Sequence, residues 1–130
     1  MKFFDTSFLI DIRMKNPYLK EIIENLDKEG IQYISSIVAY EFYFGGYHSK
    51  HSNELSYRKA ILNQFSIVPF TAEIAELGAK IESDLMNDGI QIGRADVMIA
   101  ATVLSQGSNL LYTRNVTHFD KIESLEVVTW

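Results

Sequence analysis

Short apolar segments alternate with helical patterns along the whole chain, and this alternation constrains the fold more than any other feature. The helical patterns place apolar residues three and four positions apart, as at Leu19, Ile22, Ile23 and Leu26. The predicted strands cover residues 2–4, 31–35, 65–68, 109–113 and 125–129. Strands separated by helices predict an α/β fold with a central, mostly parallel sheet of four to five strands, flanked by helices. In such sheets ligands bind beyond the carboxyl ends of the strands.

Residues typical of helix ends separate these segments. Asn16 followed by Pro17 predicts the start of a helix, and Gly30 predicts its end. Thr71 is expected to cap a helix that stops at Gly89. Further helices are predicted over residues 93–106, 52–64 and 116–122. The pattern contains no linker and no repeat.

Composition narrows the class of protein. The length of 130 residues predicts one domain, spanning residues 1–130. Cysteine is absent, which excludes a disulfide scaffold and a thiolate metal site and fits a reducing cytoplasm. The opening MKFFDTSFLIDIR is a poor signal peptide, and no apolar stretch predicts a membrane span. The net charge is −5 and no basic stripe is visible, so any nucleic-acid contact is expected to be local or bridged by a cation.

One carboxylate, Glu41, stands in the apolar and aromatic run IVAYEFYFGG. On a helix it shares a face with Ile37, Val38, Phe44 and Gly45. An ionised, unpaired carboxylate on such a face costs several kcal/mol or takes up a proton. This cost is avoided if the carboxylate has a basic partner, a metal ion or water at the edge of a cleft. It is also avoided if Glu41 lies at the rim of the helix, half exposed to solvent.

Two aspartates occupy comparable places in the predicted fold. Asp5 directly follows the first strand and precedes Thr6 and Ser7, where α/β folds place chemistry; Asp5 or Ser7 as the cap of a helix over residues 8–14 is the structural alternative. Asp96 lies in the first turn of an apolar, buried helix, where the helix dipole alone is sufficient reason for a negative charge.

Together, the three acids Asp5, Glu41 and Asp96 suggest more than each does alone. The carboxyl ends of parallel strands converge, and three carboxylates brought together raise one another's pKa values. A divalent cation removes that conflict, and an oxygen-only ligand set indicates Mg²⁺ or Mn²⁺. An acidic magnesium site in a small α/β domain is typical of phosphoryl chemistry.

The chain resembles the PIN-domain nucleases, in particular the VapC-type toxins of prokaryotic toxin–antitoxin pairs. Four stretches in order carry the resemblance: DTSFLID at 5–11, AYEF around Glu41, GIQIGRADVMIAA at 89–101 and YTRNVTHF at 112–119. It implies a PIN-like parallel sheet, an acidic cluster that binds Mg²⁺ or Mn²⁺, and endonucleolytic cleavage of RNA. Transfer RNA is the family's commonest target.

The resemblance carries site residues over position by position. Asp5, Glu41 and Asp96 match three acidic positions of the family, and Thr6 and Ser7 match the small polar residues beside the first aspartate. It implies that Asp5 and Asp96 ligate the metal, while Glu41 ligates it through water or acts as the base.

The family's fourth acidic position falls on Asn115, which supplies no charge. Without a charge at this position, it is open whether a second metal ion binds and whether the protein is fully active. His118 or Asp120 nearer the site, and Asn115 as the cap of the short helix, are the alternatives left open.

Four cations follow or precede these acids. Arg94 and Arg114 are candidates for holding RNA phosphates at the rim of the site, and Arg13 and Lys15 follow the first helix. The alternative for each is an ordinary surface charge or a local ion pair.

Aromatic residues crowd the segment around Glu41. Tyr40, Phe42, Tyr43, Phe44 and Tyr47 exceed what one short helix needs for a core. The resemblance implies a groove that receives a VapB-type antitoxin, and pairing of protomers as a homodimer, so part of this cluster is a candidate interface. For any single one of these residues, a place in the core is the favoured alternative.

Two classes of function remain open at this point. The first is a Mg²⁺- or Mn²⁺-dependent endoribonuclease toxin, and the second is a catalytically weak or inactive PIN-like module that binds protein or RNA, which Asn115 keeps in consideration. A phosphoacceptor receiver domain would need an aspartate where IVPF (67–70) stands, and a haloacid-dehalogenase-type phosphatase would need one at Ser7.

Overall fold

Five parallel strands with connecting helices make up the computed structural model, which describes residues 1–130. The strands are β1 (Lys2–Phe4), β2 (Gln32–Ser35), β3 (Phe65–Val68), β4 (Leu110–Tyr112) and β5 (Glu126–Val128). The α-helices are α1 (Thr6–Arg13), α2 (Lys20–Leu26), α3 (Ser36–His48), α4 (Glu54–Leu62), α5 (Ala72–Asn87), α6 (Arg94–Ser105) and α7 (Val116–Phe119). A 3₁₀ turn, Pro17–Leu19, precedes α2.

The sheet has the order β3-β2-β1-β4-β5, and every pair of neighbours is parallel. Phe3 in β1 lies opposite Tyr33 of β2 on one side and Leu111 of β4 on the other. The prediction of an α/β fold with a parallel sheet is therefore confirmed. Because β1 is the central strand, the residue that follows it is surrounded by segments from distant parts of the sequence.

A single apolar cluster fills the space between the sheet and its helices. Phe4, Ile34 and Leu111 come from three adjacent strands and are inaccessible to solvent. Phe42 of α3 and Ile99 of α6 pack into the same cluster. The buried faces of α3 and α6 hold these two helices against the sheet.

Several predicted boundaries shift by a few residues. Asn16 caps as expected, with its side chain accepting from the Tyr18 N–H at 3.0 Å, but it opens the 3₁₀ turn rather than α2 itself. The helix then ends at Leu26, ahead of Gly30, whose φ of +93° suits the turn into β2. The last helix closes at Phe119 rather than at residue 122.

Capping contacts define the starts of two longer helices. Thr71 accepts a hydrogen bond from the Ile74 N–H at 3.3 Å, as predicted for α5. Ser35 does the same for α3 through the Ile37 N–H at 3.1 Å. None of the helices combines the length and the apolar character that crossing a lipid bilayer would require.

Candidate functional site

Asp5 lies at the carboxyl end of the central strand and is almost fully buried, with 6% of its surface exposed. Its backbone N–H continues the ladder between β1 and β4 by donating to the Tyr112 carbonyl at 2.9 Å. Thr113, the next residue after β4, donates its hydroxyl to Oδ2 of Asp5 at 2.7 Å. Pairing of the two strands therefore sets the position of this carboxylate.

The pKa of Asp5 is raised to about 6. Burial is the main cause, because it removes solvation from the charged form, while the hydrogen bond from Thr113 lowers the pKa. The negative charges of Asp96 and Glu41 both raise it further. Asp96 and Glu41 are therefore close enough to Asp5 for their charges to affect its ionisation.

Glu41 is held by the first turn of α1. It projects from α3, is half-buried, and accepts a 2.6 Å hydrogen bond at Oε1 from the hydroxyl of Thr6. No arginine or lysine pairs with it. Of the resolutions considered for this carboxylate, a basic partner is therefore ruled out.

Asp96 lies in the first turn of α6, as predicted, and is half-buried. Its Oδ2 accepts a 3.0 Å hydrogen bond from the side-chain amide of Asn115 and lies 2.9 Å from Nδ1 of His118. Asn115 occupies the cap position of α7, but its side chain makes no capping hydrogen bond. The cap alternative for Asn115 is wrong, and His118 is indeed nearer to the acids than the exposed Asp120.

Ser7 connects the site to the segment after β4. Its hydroxyl accepts from the Arg114 N–H at 3.0 Å and lies 3.4 Å from the hydroxyl of Thr113. The side chain of Asp5 makes no capping hydrogen bond to α1, which begins at Thr6 rather than at residue 8. Asp5 therefore occupies the N-cap position of α1, but the prediction that its side chain caps the helix is wrong.

The predicted arginines all form local ion pairs. Arg94 is 74% exposed at its side chain and bonds Glu82 of α5 through two nitrogens. Arg13 bonds Glu54. Arg114 pairs with Asp11 at 3.0 Å. None of these arginines pairs with Asp5, Glu41 or Asp96.

Asp11 is a buried acid that sequence reasoning missed, with 5% of its surface exposed. Besides Arg114, it binds the side-chain amide of Asn16 at 3.0 Å and the indole N–H of Trp130 at 2.8 Å, both at Oδ2. The signal was a carboxylate between Ile10 and Ile12, six residues after Asp5 along α1.

The aromatic cluster divides between core and surface. Phe42 is fully buried and Arg58 lies over its ring, whereas Tyr40, Phe44 and Tyr47 are exposed. The exposed members, together with Tyr43 and Lys59, line a groove of about 540 Å³. The core reading is right for Phe42, Tyr43 is half-buried against the core, and Tyr40, Phe44 and Tyr47 form an open apolar surface.

Residues 2–125 match the family model described as PIN domain. The chain belongs to the PIN-domain family. This membership confirms the family predicted from the resemblance, and it agrees with the central acidic site at the end of the sheet.

Similar proteins reinforce this assignment. Ribonuclease VapC1 of Rickettsia felis is 38% identical over 104 residues, which cover 77% of each chain. Ribonuclease VapC of Rickettsia bellii is 35% identical over 101 residues, 75% of each chain. The crystal structure of VapBC2 from Rickettsia felis, bound to a DNA fragment from their promoter, contains a chain with a TM-score of 0.89 and 25% identity. That alignment covers 99% of this PIN domain and 98% of its counterpart. The names of these relatives agree with the predicted enzyme class.

The donor set of this PIN domain is chemically compatible with a hard divalent cation. Each of the three acids has one oxygen held by a side chain: Oδ2 of Asp5, Oε1 of Glu41 and Oδ2 of Asp96. Their second oxygens accept no side-chain hydrogen bond. No three acidic or histidine side chains lie close enough to enclose a cation by themselves, so solvent or substrate oxygens are needed to complete its shell.

Proposed function

We propose that the protein is a divalent-metal-dependent endoribonuclease and acts as the toxin of a VapBC-type pair. The observation that carries the proposal is the grouping of three carboxylates around the end of β1 without any arginine or lysine partner. Burial, and to a lesser extent the charges of Asp96 and Glu41, raise the pKa of Asp5, and a bound cation would stabilise its charged form. The names of the relatives supply the RNA substrate class.

Asp5 and Asp96 are the residues proposed to hold Mg²⁺ or Mn²⁺, and Glu41 completes the site through water or as the base. Such a cation lowers the pKa of a bound water and offsets the negative charge that develops on the attacked phosphate. The chain's own contribution is orientation, because Thr113, Thr6 and the Asn115 amide each fix one carboxylate oxygen.

Glu41 is the residue proposed to move a proton. Its Oε1 is engaged by Thr6, which leaves Oε2 as the atom that accepts a proton from the attacking water. Asn115 stands where the family has a fourth acid, and it donates to Asp96 instead of adding a charge. We therefore propose a single cation rather than two.

The proposed partner is a cognate VapB-type antitoxin. One solved structure to which the chain is similar is a VapBC complex, and the exposed aromatic groove of α3 suits an apolar segment of such a partner. A homodimer, transfer RNA as the substrate and a cytoplasmic location complete the proposal, on the strength of the family resemblance. The whole of residues 1–130 is proposed as one nuclease domain.

A cleavage assay tests the proposal. Purified protein is incubated with total transfer RNA in Mg²⁺, in Mn²⁺ and in EDTA, and Asp5→Asn and Asp96→Asn are compared with wild type. Asp84→Asn is the matched control, since Asp84 is an exposed acid on α5 that pairs only with Lys80. Cleavage that needs metal and both site acids supports the proposal.

A non-catalytic binding module gives a different result. Such a protein binds RNA or its partner without cleaving the RNA. The amount of cleaved RNA in the assay is then the same with and without metal, and the same for Asp96→Asn and wild type. In cells, the proposed toxin arrests growth when expressed alone, and Asp96→Asn relieves the arrest. Persistent arrest by that variant contradicts a catalytic origin of toxicity.

A further inference from the structure

Asp11 is fully engaged by polar groups from three parts of the chain. Trp130 and Asn16 both donate to its Oδ2, which leaves Oδ1 for the guanidinium of Arg114. The indole of Trp130 is itself fixed, with its ring edge-on to Phe8 at 5.2 Å between centroids. Burial of an ionised carboxylate costs desolvation energy. Its polar partners offset much of that cost only if the pairing geometry is well defined.

Arg114 is anchored at both ends. Its backbone N–H donates to Ser7, whose hydroxyl also lies 3.4 Å from that of Thr113, so the backbone belongs to the candidate active site. Its guanidinium lies at Asp11, yet the side chain remains 50% exposed. A guanidinium carries five N–H donors, and Asp11 engages only one of its nitrogens.

The other arginines near the site are used differently. Arg94 directs Nε and Nη2 at the two carboxylate oxygens of Glu82, and Arg13 directs the same two nitrogens at Glu54. In both arginines, the pair of nitrogens that could bind a phosphate bidentately is therefore already occupied by a carboxylate of the protein. Arg114 keeps the larger part of its fork open to solvent, while its backbone N–H bonds Ser7 next to Asp5 and Thr113.

We propose that Arg114 binds a backbone phosphate of the RNA strand next to the bond that is cleaved, and that Asp11 is the positioning residue that aims it. This inference rests on the proposed nuclease function. Asp11 fixes one nitrogen of the guanidinium, and the remaining donors meet a phosphate bidentately. Trp130 and Asn16 act indirectly, because they hold the carboxylate of Asp11 and that carboxylate orients Arg114.

Removal of the Asp11 charge separates positioning from simple electrostatics. A negative charge near a phosphate repels it, so electrostatics alone predicts that Asp11→Asn tightens RNA binding. Positioning predicts the opposite, because the arginine loses its fixed orientation. A purely structural role predicts a lower melting temperature with unchanged affinity for RNA.

The test measures RNA binding and cleavage together. Fluorescence anisotropy with a labelled, mixed-sequence RNA oligonucleotide gives affinity over a range of salt concentrations, and cleavage of the same RNA in Mn²⁺ gives kcat and KM. Arg114→Ala is expected to weaken binding about tenfold and to reduce the slope of log affinity against log salt by about 0.7. Lys80→Ala, which removes a surface cation from the exposed pair with Asp84, leaves both unchanged.

Asp11→Asn is expected to raise KM several-fold while kcat stays unchanged, and Asp84→Asn is its matched control. Trp130→Phe keeps an aromatic ring against Phe8 but removes the N–H, so it provides a second variant in case Asp11→Asn folds poorly. It is expected to shift KM in the same direction by a smaller factor.

The outcomes distinguish this inference from the proposed function. Variants of Asp11 and Arg114 that bind and cleave RNA as wild type does overturn the inference and leave the nuclease proposal intact. Tighter binding by Asp11→Asn also overturns it. A wild-type protein that binds RNA through Arg114 but never cleaves it overturns the nuclease proposal alone, and one that binds no RNA overturns both.

Discussion

The hydroxyl of Thr113 donates a 2.7 Å hydrogen bond to Oδ2 of Asp5, joining the residues that follow β4 and β1. Both residues are buried, and the same hydroxyl oxygen accepts a 2.9 Å hydrogen bond from the Asn115 N–H. Thr113 therefore orients the central carboxylate and also the loop that carries the amide partner of Asp96. One small side chain connects both halves of the candidate site.

Thr113→Val keeps the shape of this side chain but removes its hydroxyl. It is expected to destabilise the protein by about 1 to 3 kcal/mol, because the Asn115 N–H and the buried carboxylate both lose a partner. The pKa of Asp5 rises further, so the acidic limb of the rate profile moves to higher pH. Chemical denaturation and a pH–rate series measure the two effects, and Thr113→Ser serves as the conservative variant that should retain both properties.

Asp5→Asn is expected to stabilise the metal-free protein above pH 6. The pKa of Asp5 is about 6 in the folded state against 3.8 in the reference state, so the folded protein binds the extra proton between these values. The stabilisation from that proton is complete below the unfolded pKa and is lost as pH rises through the folded pKa. The ionised side chain then costs roughly 3 kcal/mol at neutral pH.

Thermal unfolding in EDTA, at acidic and at mildly alkaline pH, measures this effect. The variant should gain stability over wild type mainly at the alkaline end, and it should lose all nuclease activity. Equal gains at both pH values, or none, would show that ionisation of Asp5 is not a source of instability. Added Mn²⁺ should stabilise wild type but not the variant.

Asn115→Asp restores the charge that the family places at this position. Without metal it is expected to lower stability by about 1 to 3 kcal/mol, because a donor to Asp96 becomes a second negative charge. With metal it is expected to raise affinity for Mn²⁺, which calorimetry measures directly. Asn25→Asp, at an exposed position of α2, controls for the change in net charge.

Glu54→Gln tests a network that supports α3. Arg13 and Arg58 both donate to Glu54 and thereby lower its pKa, and Arg58 also donates to the Phe42 carbonyl at 3.0 Å. The variant is expected to lose about 1 to 2 kcal/mol at neutral pH. A depressed pKa contributes stability above the unfolded value of 4.5 that disappears as pH falls through the folded value, so the difference from wild type should shrink in acid.

The exposed pair of Lys80 and Asp84 provides the comparison for that network. Asp84→Asn should change the free energy of unfolding by less than about 0.5 kcal/mol, because solvent screens an exposed pair on one helix. Similar losses for the two variants would mean that Glu54 contributes no more than an ordinary surface charge.

The fold and the three acids were predictable because they depend on local patterns. Alternating strands and helices indicate a parallel sheet, and a carboxylate directly after a strand, such as Asp5, is placed by the topology alone. Glu41 was conspicuous because its neighbours are apolar. These inferences needed only the periods of helix and strand together with the cost of burying charge.

The partners of the acids were not predictable in the same way. Thr113 and Asp11 engage residues that are remote along the chain, and nothing in the local pattern around either indicates its partner. The pairing of Arg94 with Glu82 depends on how α5 packs against α6. Contacts of this kind follow from tertiary packing, which a single sequence does not display.

The position of β1 at the centre of the sheet has a consequence for the chain during its synthesis. Asp5 leaves the ribosome well before the hydroxyl that orients it, which belongs to a residue 108 positions later. Until β4 has emerged and paired, the first acid has no neighbour on that side and Asp96 has no amide donor. The acidic site is therefore assembled only after synthesis has passed β4, and it cannot form while β1 alone has emerged.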